Sequence, residues 1–300
     1  MTKSISRYPN FFILGAAKAG TTALYDIIKQ HPKIYLPYIK EPMFFSNDEN
    51  FNHGMDWYLE SCFSGAQKFP LRGEATPHYL YWAEKTAPRI AATLSNEQPR
   101  FIITLRDPIK RAYSWYWNMI KEGKEKLSFI EALRKEEKRL ETHHQALYHA
   151  GAMTYGYKRG SDYLPQIKAF LRHFPRENFF FMQPSDIRQP DCQRFQDLRA
   201  FLGIDDQFVF QATQSNPARL PRSRWFHSIL HGTSRVKNMI KKLLPQKFRY
   251  QLKESLTKAN LQGFQYPPMS WEAEKHLKAY FTPMVEELEH VTGLDLTQWS

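Results

Sequence analysis

The chain has 300 residues, of which 42% are hydrophobic, and its 42 Lys and Arg against 30 Asp and Glu give a net charge of +12. This composition excludes disordered and collagen-like chains, and a chain of this length buries enough surface to fold without disulfides or structural metals. Its two cysteines, Cys62 and Cys192, lack the spacing of a zinc site or a disulfide scaffold, so a cytoplasmic location is expected. No apolar run is long enough to predict a membrane span.

Short apolar runs alternate with helical patterns along the chain. Strands are predicted at Phe11–Gly15, Leu71–Ala75, Phe101–Leu105 and Phe179–Met182. Helices are predicted at Thr21–His31, Tyr79–Thr93, Pro108–Lys121, Phe129–Glu141 and Trp271–Val291.

This alternation is typical of a parallel sheet with helices on both faces, so a single α/β domain is predicted over residues 8–300. Residues 8–205 form its expected core, and residues 206–300 form a basic, mainly helical C-terminal portion. Residues 123–157 combine a charged helix with a loop rich in His, Tyr and Gly, and we expect them to be inserted beside the sheet on the substrate side.

A glycine-bounded loop follows the first predicted strand and leads into a helix, the order that phosphate binding requires. The spacing of its glycines equals that of the nucleotide P-loop, but Thr21 stands where the P-loop lysine would be and Lys18 lies inside the loop. A simple turn with an exposed lysine is the alternative. The candidate anion-binding residues of the loop are Gly15, Ala17, Lys18, Ala19, Gly20, Thr21 and Thr22.

A second candidate phosphate site follows the third predicted strand. Arg106 leaves the strand at its carboxyl end, and Ser114 lies two turns into the next helix. A guanidinium and a hydroxyl suit a terminal phosphate, and an arginine at this place predicts anion binding without a metal. Arg111 shares the helix face of Ser114, which leaves open that one of the two only stabilises the helix.

Most of the net charge lies in one segment. Between Arg219 and Lys258 there are eleven basic residues and one acid, Glu254. Such a segment favours an anion-facing surface, with peripheral membrane contact through residues 219–258 as one candidate and a solvated helix face as the other. Charge alone gives no motif for nucleic-acid binding, so no nucleic-acid partner is expected.

Five spaced motifs resemble the sulfotransferases that use 3′-phosphoadenosine 5′-phosphosulfate (PAPS), most of all their carbohydrate branch, the heparan sulfate N- and 3-O-sulfotransferase domains. The motifs are GAAKAGTTAL, HPKIYLPYIKEPMFFS, GMDWYLESCF, GEATPHYLY and RDPIKRAYSWYW. The resemblance covers roughly residues 10–205, with FFFMQPSDI and FLGID completing it. It implies a P-loop-like α/β fold and transfer of a sulfuryl group from PAPS to a hydroxyl or amine of a glycan, glycolipid or other small acceptor.

The resemblance also implies roles for residues. Residues 15–22 would hold the 5′-phosphosulfate, and Arg106 and Ser114 would hold the 3′-phosphate. Those relatives carry a membrane anchor and close a C-terminal cofactor loop with a disulfide. Cys192 has no cysteine nearby, so a soluble, bacterial-type member is expected, and Arg222 in a basic stretch is the candidate for closing over the cofactor.

Metal-independent, in-line sulfuryl transfer needs a cation at the reacting group and a base for the acceptor proton. Lys18 is the predicted cation. Glu41, which matches the glutamate of the K-E-x-x-F-F segment in the carbohydrate branch, is the first candidate base. His78 is the rival base because imidazole titrates near neutral pH. Glu74 is expected to order the strand end or the lysine, and no metal site is expected at the histidines His143, His144 and His149.

Two other functions remain open from the sequence. A small-molecule kinase with an unusual P-loop is disfavoured because the chain has neither the lysine and hydroxyl of that motif nor a strand-end aspartate for magnesium. A catalytically silent protein that binds nucleotide, a polyanion or a membrane is disfavoured because Lys18 and Glu41 are both intact. No single aromatic residue is identified as the surface on which adenine stacks.

Overall fold

The central sheet of the computed structural model, which describes residues 7–95, 97–204, 207–213, 219–221 and 261–299, has five parallel strands. They are β1 (Phe11–Gly15), β2 (Ile34–Tyr35), β3 (Leu71–Ala75), β4 (Arg100–Thr104) and β5 (Phe179–Met182), in the spatial order β2-β3-β1-β4-β5. In this register Phe12 of β1 lies between Glu74 and Phe101. The four predicted strands are thus confirmed as one parallel sheet, with β4 shifted by one residue.

Helices and short ribbons surround the sheet. The helices are α1 (Thr21–Ile28), α2 (Asp48–Asn52), α3 (Gly54–Phe63), α4 (His78–Tyr81), α5 (Ala83–Thr93), α6 (Pro108–Lys121), α7 (Phe129–Arg134), α8 (Glu136–Thr142), α9 (His144–Ala150), α10 (Tyr163–Leu171), α11 (Pro184–Ile187), α12 (Gln193–Leu202) and α13 (Trp271–Thr292). Two short strands, β6 (Arg219–Pro221) and β7 (Leu261–Gly263), pair antiparallel. The predicted α/β fold with helical insertions is therefore confirmed.

Both faces of the sheet are buried, which is why its strands are continuous apolar runs. Phe12 and Leu14 pack on one face against α4, α5 and α10, whereas Phe11 and Ile13 pack on the other against α1 and α12. The connections that follow β1 and β3 therefore leave the sheet toward opposite faces. An open parallel sheet binds ligands at such a point, in the crevice beyond the carboxyl ends of its strands.

Three predicted helices differ from the structure. Residues 79–93 form two helices that meet at Trp82, where the hydroxyl of Thr86 donates to the carbonyls of Tyr79 and Trp82 at 2.7 and 3.1 Å. Residues 129–141 likewise form two helices, joined at Lys135. Helix α1 ends three residues earlier than predicted, at Ile28. The C-terminal helix is confirmed, with Ser270 capping its start and Gly293 its end.

The insertion is built on buried, paired carboxylates. Glu125, 4% exposed, accepts from Arg139 at 2.6 Å and from the hydroxyl of Tyr157. Glu136, 1% exposed, accepts from the amides of Lys158 and Arg159 at 2.8 and 2.9 Å. The predicted loop also contains helix α9. The charged helix predicted here is thus partly a packed core in which these two buried carboxylates have partners.

The basic segment lies almost entirely outside the described residues, because residues 222–258 are not among them. The predicted cofactor contact of Arg222 lies there too, so it stays a prediction. The predicted membrane contact of residues 219–258 finds no support in the described part of the chain. Within that part, no helix combines the length and the apolar character that crossing a bilayer requires.

Candidate active site

An open cleft with a volume of about 1190 Å³ lies at the carboxyl ends of β1, β3 and β4. Its walls are the loop after β1, the turn that carries Glu41, the start of α4, one face of α6, part of the insertion and the segment before α13. The predicted site residues that line it are Ala17, Lys18, Gly20, Thr21, Thr22, Glu41, His78, Arg106 and Ser114. Residues from four separate segments of the chain therefore meet in one cleft.

Two predicted loop residues do not line the cleft. Gly15 is buried behind the loop, and a Cβ there would lie 2.9 Å from the Leu80 Cβ and 3.1 Å from the Pro77 carbonyl oxygen. Ala19 is fully buried in the core. These two residues set the path of the loop rather than its ligand-facing surface.

Two cations hold the backbone of the loop, Arg111 from behind and Arg106 from the side of the cleft. Arg111 Nε donates to the Ala17 carbonyl at 3.0 Å, and a guanidinium nitrogen of Arg106 donates to the Lys18 carbonyl at 3.2 Å. Arg111 is 1% exposed and also donates to carbonyl oxygens of the insertion, so it is a buried structural residue. Of the pair left open by the sequence, Ser114 therefore faces the cleft and Arg111 does not.

The loop turns into α1 at Gly20, which has a φ of +95°. A Cβ at Gly20 would lie 3.0 Å from Ile187 Cδ1, so both the conformation and the space favour glycine. Helix α1 begins at the next residue, Thr21, and the first amides of a helix have no partners inside it. The positive end of α1 therefore opens into the cleft and offers N–H donors to an anion.

Lys18 is a half-buried cation among other cations. Burial, together with Lys121, Arg106 and Arg111, lowers its pKa to about 8. Around Lys18, the cationic side chains therefore outweigh the carboxylates, and the net charge of this part of the cleft is positive. An anion bound there would stabilise the ammonium form, since opposite charges nearby favour ionisation.

Glu41 reaches the cleft from the turn after β2. Lys40 Nζ donates to Glu41 Oε1 and to the Thr22 hydroxyl, in both cases at 2.8 Å. Burial alone would raise the pKa of Glu41, but Lys40, His78 and Lys18 outweigh burial and hold this pKa below its usual value. The carboxyl group is therefore a carboxylate at neutral pH and can accept a proton.

His78 lies at the start of α4, beside Glu41. Its Nδ1 is buried and has no hydrogen-bond partner among the residues that the structure describes. Burial lowers the pKa of His78 despite the opposing charge of Glu41, so the ring is neutral at pH 7. A neutral imidazole can also accept a proton, and the geometry keeps both candidate bases in the cleft.

Glu74 lies outside the cleft, fully buried on β3. The Thr76 hydroxyl donates to its Oε2 at 3.3 Å, and the hydroxyls of Tyr58 and Tyr79 lie beside the carboxyl group. Burial raises the pKa of Glu74 to about 7. Of its two expected roles, ordering of the strand end agrees with these contacts and contact with Lys18 does not.

The three histidines His143, His144 and His149 also lie outside the cleft.

A wall of the cleft that sequence analysis missed comes from the segment before α13. Tyr266 stacks on Trp117 with ring centroids 5.9 Å apart and an angle of 8° between the planes, and its hydroxyl lies 3.5 Å from Ser114 Oγ. The hydroxyl of Tyr113 donates to the Pro267 carbonyl at 2.9 Å. The available signal was the aromatic and proline run of residues 264–268, which matched no motif.

Comparisons with known proteins agree on one family. A family model described as "Sulfotransferase domain" matches residues 8–265. The human bifunctional heparan sulfate N-deacetylase/N-sulfotransferase 3 is 25% identical over 99% of this chain, which spans 32% of that protein. The membrane-associated sulfotransferase kil1 of Dictyostelium discoideum is 36% identical over 36% of this chain and 22% of its own length. A solved sulfotransferase structure from Alicyclobacillus acidocaldarius is 28% identical, with a TM-score of 0.68 over 97% of this chain and 98% of that one.

Proposed function

This chain belongs to the sulfotransferase family and is a sulfotransferase enzyme, and from that premise we propose that it moves a sulfuryl group from PAPS to a hydroxyl or amine of a carbohydrate acceptor. The observation that carries the proposal is the single cleft in which Lys18, Glu41, His78, Arg106 and Ser114 meet. The family assignment favours this function over the kinase and over the catalytically silent binding protein.

The residues present fit PAPS. A ligand with anionic groups at both its 5′ and 3′ positions needs two sets of donors. Lys18 and the first amides of α1 supply one set, and Arg106 with the hydroxyl of Ser114 supplies the other. Gly20, which lines the cleft, allows the positive φ with which the loop turns into α1.

PAPS would supply a sulfuryl group on a good leaving group, and the chain would supply position, charge and a base. Glu41, or alternatively His78, takes the proton that the acceptor oxygen or nitrogen loses as its new bond to sulfur forms. Lys18 donates to the bridging oxygen, which keeps the electron pair of the sulfur–oxygen bond that breaks. Holding both reactants in line in one cleft lowers the barrier further.

A carbohydrate acceptor is supported by the relatives and by the far wall of the cleft. The human relative named above is a heparan sulfate N-sulfotransferase, although this chain spans only about a third of it and nothing of its deacetylase activity is carried over. Trp117, Asn118, Lys121 and Thr154 line the cleft on the side of α6 and the insertion. An aromatic side chain beside a few polar groups suits a sugar ring and its hydroxyls.

Label transfer tests the proposed function directly. The purified chain is incubated with PAPS carrying labelled sulfur and with separate acceptors: a glucosamine polymer with free amines, neutral glycans, glycolipids and small phenols. We expect label on a hydroxyl or amine of a carbohydrate, at a position identified by mass spectrometry. Transfer only to phenols would overturn the carbohydrate assignment, and no transfer to any acceptor would overturn the proposed function.

Replacing Arg106 by alanine is expected to weaken binding of 3′-phosphoadenosine 5′-phosphate by about 10- to 100-fold, because one charged hydrogen-bond donor to the 3′-phosphate is lost. Adenosine 5′-phosphate lacks that phosphate, so its affinity should fall much less, through the loss of the bond from Arg106 to the Lys18 carbonyl alone. Isothermal titration calorimetry of both nucleotides measures the difference. Arg172→Ala, an exposed arginine paired with Glu84, is the matched control. An equal loss for both nucleotides would remove Arg106 from the 3′-phosphate site.

A further inference from the structure

Lys40 joins two parts of the cleft that come from different segments of the chain. Its side chain is 17% exposed, and its Nζ lies 2.8 Å from both the Thr22 hydroxyl and Glu41 Oε1. Thr22 belongs to the first turn of α1 and lines the cleft, as Glu41 does, whereas Lys40 itself is not among the lining residues. One ammonium group therefore connects the anion-binding helix end to the candidate base from behind.

We propose that Lys40 is a positioning residue, which holds the Glu41 carboxylate at a fixed position relative to α1 so that Oε2 faces the acceptor. This inference rests on the proposed function. Among the described residues, the hydrogen bonds of the Glu41 carboxylate involve Oε1 alone. An ammonium group has three donors, so Lys40 can hold Thr22 and Oε1 together. The second oxygen then stays available for the acceptor proton.

The local backbone shows why a tether is needed. Glu41 and Met43 have φ values of +61° and +54°, a region that residues with a side chain rarely adopt. The turn does not hold this conformation through regular hydrogen-bonded secondary structure, because it lies between β2 and α2. On its α2 side the turn is held by Asn50 Nδ2, which donates to the Pro42 carbonyl at 2.9 Å, and by the amides of Ser46 and Asn47, which donate to the Met43 carbonyl. On its other side the bond from Lys40 to Thr22 attaches the turn to α1, a helix packed on the sheet.

Electrostatics gives this role a measurable signature. Burial acts against ionisation of Glu41, and the titratable groups that face it are Lys40 on its own turn, His78 from the start of α4 and Lys18 from the loop. Lys40 has the largest effect of the three in lowering the pKa of Glu41. An uncharged residue at position 40 should therefore raise the pKa of Glu41, whereas loss of a merely structural contact would not.

The test uses Lys40→Met, which keeps the stem and removes the charge, and Lys40→Arg, which restores the charge. Carbon-13 NMR follows the Glu41 carboxyl group in the protein without nucleotide, with Glu41→Gln identifying its signal. In Lys40→Met we expect the pKa of Glu41 to rise by about one unit or more. The acid limb of the kcat/KM profile should move to higher pH by the same amount, and kcat at pH 8 should fall about 10-fold. Lys40→Arg should restore most of the lowered pKa of Glu41 and most of the wild-type kcat.

Two further variants complete the experiment. Lys40→Gln is a second uncharged variant that reports the same titration if the methionine variant fails to fold. Lys168→Met removes an exposed lysine that pairs with Glu287, and it should leave both the titration and the rate unchanged. A Glu41 titration that does not move in the uncharged variants overturns the proposal, whatever the activity. If the wild-type enzyme transfers no label, the proposed function and the role of Lys40 in sulfuryl transfer are both wrong. A Glu41 titration that still moves in the uncharged variants would then show that the contact between Lys40 and Glu41 exists and that only the proposed reaction is wrong.

Discussion

Replacing Lys18 by methionine is expected to lower kcat by about 10²- to 10³-fold, the usual loss when one preorganised charge at a reacting group is removed. Methionine keeps the unbranched stem of the half-buried lysine and adds no new backbone constraint at its φ of +72°. The fold should therefore survive, as melting temperature and circular dichroism can check. Lys29→Met, an exposed lysine at the end of α1, is the matched control and should keep full activity. A Lys18→Met enzyme with more than about a tenth of wild-type turnover would contradict the role of Lys18.

The same residue predicts a pH dependence that needs no turnover. The pKa of Lys18 is about 8 in the protein without ligand, and a bound 5′-phosphate should raise it. The affinity for 3′-phosphoadenosine 5′-phosphate should therefore be highest below pH 8 and should fall as the pH rises above 8. Binding at pH 8.5 should also take up protons, which calorimetry in buffers of different ionisation enthalpy detects. Equal proton uptake by Lys18→Met and wild type would assign the titration to another group.

Replacing Glu41 by glutamine should lower kcat by about 10²-fold or more, because the amide keeps the size of the carboxylate but cannot take the acceptor proton. Affinity for the nucleotide product should be nearly unchanged, and His78→Asn should have a mild effect. The measurements are kcat at saturating PAPS for both variants and calorimetry with the product. An active Glu41→Gln enzyme together with an inactive His78→Asn enzyme would make His78 the base.

The pH–rate profile of the enzyme is shaped by the environment of both candidate bases. A carboxylate base with a lowered pKa loses activity only in acid, as the pH falls through that pKa. Burial lowers the pKa of His78 as well, so the acid limb of a histidine base also moves below its usual position. Both expected limbs therefore lie below the ordinary pKa of the group concerned, so the position of a limb does not by itself identify the base, and the variants are the stronger evidence.

The central sheet could be predicted from sequence because its strands are buried on both faces. The run FFILG is apolar throughout, since Phe12 and Ile13 each meet a helix layer. Strand β2 could not be predicted because it has two residues, too few to show a period. The helix breaks at Trp82 and Lys135 were missed because helix propensity and apolar spacing continue across both positions. A side-chain hydrogen bond sets the backbone conformation at Trp82, and the packing of the insertion sets it at Lys135.

The site was predictable where its residues lie in short local motifs. Lys18 and Thr22 belong to a strand, loop and helix unit, and Arg106 and Ser114 belong to another, so spacing alone indicates their chemistry. Tyr266 meets Ser114 across 152 positions of sequence, a contact that no local pattern encodes. The cytoplasmic location, the domain boundary at residue 205 and the cofactor contact of Arg222 stay predictions.

Arg111 has a consequence for engineering acceptor specificity. Its guanidinium donates to the Ala17 carbonyl in the loop after β1 and to the carbonyls of Gly156 and Tyr157, and Gly160 leaves room for it, since a Cβ there would lie 2.3 Å away. A chimera that takes residues 156–161 from a relative would therefore disturb the loop as well as the acceptor wall. The segment suited to exchange begins after α6 and ends at Tyr155, with Glu125 and Glu136 kept, because these carboxylates accept from Tyr157 and from the amides of Lys158 and Arg159 at the junction with Arg111.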